Sequence, residues 1–225
     1  MPRKVPDDIT FDDAEHEVIF TRAALAADPD AEAFLPMTDG WLGLVDSARS
    51  AERAARIAAA EADAQRVVAN SRLDQVCVWF GDDLFIAVGK DKSAPRWTKF
   101  FSSAVSRFVR QALPKQVQSV KGWLDAGNDP ILQKHKPELS KWSDAADAAL
   151  TKTRGTAVAR GDAWEKREEM ADSLTRERDG LHEALRAHAR DKGLPRTWAD
   201  TFFRVERKGG SAAEAEASDE APAGE

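Results

Sequence analysis

Apolar positions along the chain recur at helical spacing for most of its length. Phe11, Ala14, Val18 and Leu25 form one stripe, and Leu113, Val117, Val120 and Leu124 form another. Steps of three, four and seven residues put such positions on one face of an amphipathic helix. Each stripe ends at an Asp-Pro pair, Asp28-Pro29 and Asp129-Pro130, where Asp caps and Pro opens the following turn. Pro36 and Pro137 are then expected to open longer helices. The first bears Trp41, Val45, Ala48, Ala55 and Ala62, and the second bears Trp142, Ala145, Ala149 and Ala157.

These elements repeat. The pairs Asp28/Asp129, Pro36/Pro137 and Trp41/Trp142 are each 101 residues apart. Lys90-Asp91-Lys92-Ser93-Ala94-Pro95-Arg96-Trp97 returns as Arg190-Asp191-Lys192-Gly193-Leu194-Pro195-Arg196-Thr197-Trp198, with one residue inserted after Arg196. Phe100-Phe101 returns as Phe202-Phe203. Uncommon residues keeping one register point to a tandem duplication of a unit of about 100 residues. The expected organisation is a flexible N-terminus over 1–10, repeat units over 11–111 and 112–208, and a disordered tail over 209–225. Each repeat is expected to form a bundle of about four helices.

Val76-Cys77-Val78-Trp79-Phe80, Gly81-Asp82-Asp83 and Leu84-Phe85-Ile86-Ala87-Val88 resemble a β-hairpin by themselves. The repeat decides for helix, because the matching stretch from Leu174 to Ala189 is rich in Arg, Glu, Ala and Leu. Leu73, Cys77, Phe80, Leu84 and Val88 also fall at helical spacing. The fold class is therefore all-α. Pro95 and Pro195 are each expected to begin a final helix, the first running on toward Leu113.

The two copies differ most in this helix. Val78, Trp79, Phe85 and Ile86 correspond to Asp179, Gly180, Arg186 and Ala187. A helix apolar all round is buried on both sides or docks another chain. Burial against the second unit is the expectation here, and these four residues are the candidate docking positions if the face is open.

Hydrophobic residues make up 42% of the chain, enough for a core, and 32% are charged. The net charge of −6 belongs mostly to the last residues, where Glu214, Glu216, Asp219, Glu220 and Glu225 face no basic partner. The rest is nearly neutral, which argues against a nucleic-acid partner. No apolar run suits a membrane span, and none follows Arg3-Lys4 as a secretory signal requires, so a cytoplasmic protein is expected. Cys77 reads as a buried, inert thiol.

Motifs for phosphate loops, dinucleotides, serine nucleophiles and paired cysteines are absent. Asp13-x-x-His16 and Asp179-x-x-His182 have a metal-ligand spacing but non-equivalent places in the repeat, so they read as surface residues and no cofactor is expected. The Pro-Arg-Trp junctions gather Lys92, Arg96, Lys192 and Arg196, a possible anion site. The expected function is a non-enzymatic helical scaffold or self-assembly protein acting through protein partners or further copies of itself. The alternatives are an anion-binding sensor bundle at those junctions and a metal-dependent helical enzyme.

Overall fold

The computed structural model describes residues 4–204, and these form an all-helical chain with no strand among the described residues. Six α-helices follow in order: α1 (Phe11–Ala27), α2 (Trp41–Ala87), α3 (Pro95–Thr98), α4 (Val105–Phe108), α5 (Leu113–Ala126) and α6 (Pro130–Lys192). Short 3-10 helices cover Glu32–Thr38 and Trp198–Phe202. The acidic tail expected over 209–225 lies outside the described residues.

Several elements differ from the expectation. The stretch over 76–87 is helical, but it is the end of α2, a single helix of 47 residues, and Val88 lies in the turn beyond it. Pro36 lies inside the first 3-10 helix, and Gly40, with φ of +89°, turns the chain into α2. Pro137 lies inside α6, which runs unbroken for 63 residues. The helix expected from Pro95 toward Leu113 is broken into the short α3 and α4, because Ser102-Ser103 favours turn conformations over helix interior. Pro195 opens no α-helix, only the 3-10 turn at Trp198.

Local chemistry accounts for the ends. Thr10 caps α1 by accepting the Asp13 N–H at 3.1 Å, while its hydroxyl donates to the Asp13 carboxylate at 2.6 Å. Gly89 and Gly193 take positive φ after α2 and α6. There the Lys90 N–H returns to the Phe85 carbonyl at 2.8 Å, and the Leu194 N–H to the Ala189 carbonyl at 2.8 Å. Both are left-handed helix stops.

The chain divides into two compact units. Unit 1 takes the residues up to Arg49 together with those from Arg167 onward, and unit 2 is Ser50–Lys166. The division does not follow the segments 11–111 and 112–208: each unit combines residues from both segments.

In unit 1 the core gathers Val18 and Leu25 of α1, Trp41 and Val45 at the start of α2, Leu174, Leu181 and Leu185 of α6, and Phe202-Phe203. Within the lead-in expected to be flexible, Val5 is buried in this core and its N–H donates to Thr175 Oγ1 at 3.1 Å. In unit 2 the core is aromatic. Phe80 meets Phe100 edge-on with ring centres 5.2 Å apart, Trp97 meets Phe101 at 5.1 Å, and Phe108 lies 4.9 Å from Trp123. Within unit 2, α2 and α6 run antiparallel: Glu61 pairs with Lys152, Arg72 lies over Trp142, and Asp83 meets Lys134.

Candidate functional site

The buried positions of α2 alternate by four and three: Trp41, Val45, Ala48, then Ala55, Ala59, Ala62, then Ala69, Leu73, Val76 and Phe80. That repeat keeps one seam inward along the helix. With Leu73, Cys77, Phe80 and Leu84 inward, the opposite face at the end of α2 is left outward. Val78 is 37% exposed, Trp79 50% and Ile86 67%. The expected burial of this face does not occur. Phe85 departs from the other three: it is half-buried, edge-on to Trp97 at 5.6 Å, with the Lys92 ammonium 5.3 Å from its ring centre. Trp79 and Ile86 sit seven residues apart and share one face.

A second apolar feature was not foreseen from sequence. In unit 2, Ala64, Val68 and Ala69 of α2 face Trp142, Ala145 and Ala149 of α6 across an open groove of about 560 Å³. Alanine replaces larger side chains along both helices here, and the groove is the space they leave. Trp142 was expected on the core stripe. It is half-buried at the groove's edge, its Nε1–H donating to Glu138 at 2.9 Å and its ring flanked by Lys141 and Arg72. The residues seated inward instead are Leu139, Ser143 and Ala146, so this part of α6 is turned relative to the register set by the tryptophans.

No protein-family model, curated protein or solved structure significantly matches the chain.

The four basic junction residues have separate fates. In unit 2, Arg96 is neutralised: its Nε donates to Asp129 Oδ2 at 2.7 Å and its Nη2 to Oδ1 at 3.0 Å. The guanidinium holds the Asp129 carboxyl below its ordinary range, helped by the N–H groups of Ile131 and Leu132. Lys92 lies over Phe85. In unit 1, Lys192 is exposed at the last turn of α6. Arg196 lines a surface cavity of about 510 Å³ with Arg186 and Arg190. The sequence already grouped Arg190 with Arg196 at this junction but gave no reason to join Arg186, which lies one turn earlier on the preceding helix.

The histidines do not assemble with their sequence neighbours. His182 is 2% exposed, so it is a core residue rather than a surface one. Its Nε2 lies 2.8 Å from Asp200 Oδ1, and its ring packs against Phe203. Asp179, the partner its spacing suggested, is not the residue it meets. His135 Nε2 lies 2.8 Å from Asp83 Oδ2, which also accepts from Lys134 at 2.7 Å. Lys134 and His135 together lower the pKa of Asp83. Among the described residues no three His, Cys, Asp or Glu side chains come together in a metal-holding group.

Two buried polar features complete the inventory. Arg178 and Glu17 in unit 1 face each other at 3.1 Å with side chains only 8% and 12% exposed. Burial lowers the Arg178 pKa, opposed by Glu17 and Asp179, yet arginine stays protonated under ordinary conditions. In unit 2 the Cys77 thiol is pushed up to about 12, by burial first and then by Asp74. It is a packing residue rather than a nucleophile.

Proposed function

We propose that the protein is a non-enzymatic helical scaffold that works through protein–protein contacts, with Val78, Trp79 and Ile86 as its docking positions. The observation that carries this reading is the pair Trp79 and Ile86, large apolar side chains left open on one face of α2 while the other face closes a complete core. Their counterparts Gly180 and Ala187 are small, so the matching stretch of α6 lacks this pair. Exposed clusters of this kind mark contact sites on soluble proteins. The occupant to which the reading commits is a second copy. A face of this kind meets itself across a twofold axis, and each copy then covers the other's Trp79. Phe85 belongs to the core and is not part of the contact.

We also infer that the chain arose by tandem duplication, with each compact unit assembled from complementary parts of both repeats. Two contacts support this. Asp129 of the second repeat binds Arg96 at the Pro-Arg-Trp junction of the first. Asp28 of the first accepts the Nε1–H of Trp198, at the matching junction of the second, at 2.9 Å. Equivalent aspartates thus meet equivalent junctions in both units.

Light-scattering mass across a concentration series tests the docking reading. Wild type is expected above the 24.7 kDa of one chain, and Trp79→Asp with Ile86→Asp returns it to that mass with helical circular dichroism intact. A wild-type chain that stays at one-chain mass at high concentration overturns it.

A further inference from the structure

The cavity at the end of α6 differs from its counterpart in unit 2 by one inserted residue. In unit 2, the arginine of the Pro-Arg-Trp junction is engaged by an aspartate with two hydrogen bonds. In unit 1, Thr197 stands between Arg196 and Trp198, and the indole of Trp198 takes the equivalent aspartate, Asp28. Asp28 spends its other oxygen on the N–H of Asp30 at 2.9 Å. Arg196 is left without a carboxylate. α6 also runs on to Lys192, whereas α2 stops at Ala87, so Arg186 and Arg190 project from a continuing helix beside Arg196.

Arg186 and Arg190 are one helical turn apart, a spacing at which like charges repel. Neither they nor Arg196 form an ion pair among the described residues. Glu183 lines the same cavity but lies beyond ion-pairing distance of all three, and Ala189 and Leu194 supply an apolar wall. Three guanidinium groups against one carboxylate leave a surplus of positive charge around about 510 Å³. That volume lies in the range of small-molecule sites. Guanidinium forks match the oxygens of phosphate, and three of them exceed what one carboxylate can use.

We propose that Arg186, Arg190 and Arg196 form a binding site for a small phosphate-bearing anion carrying two or more negative charges, with its uncharged part resting on Ala189 and Leu194. The site is independent of the docking face on α2, and either can fail without the other.

Calorimetric titration of the full chain with inorganic tripolyphosphate at low ionic strength tests the site. One anion per chain is expected. Arg190→Ala and Arg196→Ala each weaken binding by about tenfold or more, the usual effect of losing a charge-assisted contact. Arg160→Ala, an exposed arginine of unit 2, is the control for simple loss of charge and leaves binding unchanged. All three side chains are exposed, so circular dichroism of the variants matches wild type. Absence of binding overturns the proposal, as does binding that Arg160→Ala weakens as much as Arg196→Ala.

Discussion

Arg96 and Asp129 meet through two parallel hydrogen bonds, at 2.7 and 3.0 Å, and the same carboxylate accepts the N–H of Ile131 at 2.8 Å. Asp129 is therefore both the N-terminal cap of α6 and the anchor of the loop that carries α3. Its side chain is 9% exposed and that of Arg96 is 39% exposed, so solvent screens the arginine more than the acid. Asp129→Ala is expected to cost about 1–3 kcal/mol, the sum of a lost cap and a lost charged contact. Urea unfolding of Asp129→Ala, Arg96→Ala and the double variant measures it. The single effects are expected to exceed the double when added, since both remove the same pair.

Acid should unfold the protein partly through Asp83 and Asp129. Both are held below the ordinary aspartate value of 3.8, Asp129 chiefly by Arg96 and Asp83 chiefly by Lys134. A lowered folded-state pKa gives stability that is complete above the unfolded value and lost as pH falls through the folded value. The urea midpoint is expected to be flat above about pH 5 and to fall steeply below pH 4. Asp129→Asn should flatten that fall, and an unchanged acid limb would contradict the pairing.

Cys77 should resist thiol reagents in the folded state. With its pKa raised from 9.0 to about 12, the thiol stays protonated at pH 8, and it is 0% exposed. Labelling is expected only at the rate of opening, and at once in denaturant. Because the folded state holds the proton more tightly, this group's contribution is intact below pH 9 and declines as pH rises toward 12.

Glycines within the helices separate into two kinds. A Cβ at Gly81 would stand 2.5 Å from Val105 Cγ2, so Gly81→Ala is expected to destabilise despite the better helix propensity of alanine. Val105→Ala should soften that loss in a double-variant cycle. Gly155 and Gly161, inside α6, have nothing within 4 Å of a built Cβ. Alanine at both is expected to raise stability by about 0.4–1 kcal/mol per site, read as a higher melting temperature.

Helix content was legible because apolar spacing and composition act locally. The ambiguous run over 76–88 shows the limit of local reading: valine, tryptophan and phenylalanine suit a strand, but Leu73, Cys77, Phe80 and Leu84 supply a helical core face. The merging of predicted helices into α2 and α6 was not legible. Nothing between Ala62 and Leu73 stops a helix, yet separate bundles were expected, which requires breaks. Arg96 was visible as a basic residue near a helix start, but its partner lies 33 residues away and no spacing rule joins them. Arg190 was legible as part of the junction with Arg196, but Arg186 was not, because only the turn at Gly193 brings Arg196 back beside it.

The composition of the two units sets an order of assembly during synthesis. Unit 2 is one uninterrupted stretch, Ser50–Lys166, so all its packing partners exist once Lys166 has been made. Unit 1 is split, and the N–H of Val5 waits for a hydroxyl 170 positions later. At about 5–20 residues per second, the stripe of Trp41 and Val45 stays uncovered for on the order of ten seconds before Leu181 and Leu185 emerge. For most of that interval unit 2 is itself still incomplete, so the nascent chain presents an uncovered α1–α2 segment, which makes its early residues the natural place for a chaperone to hold.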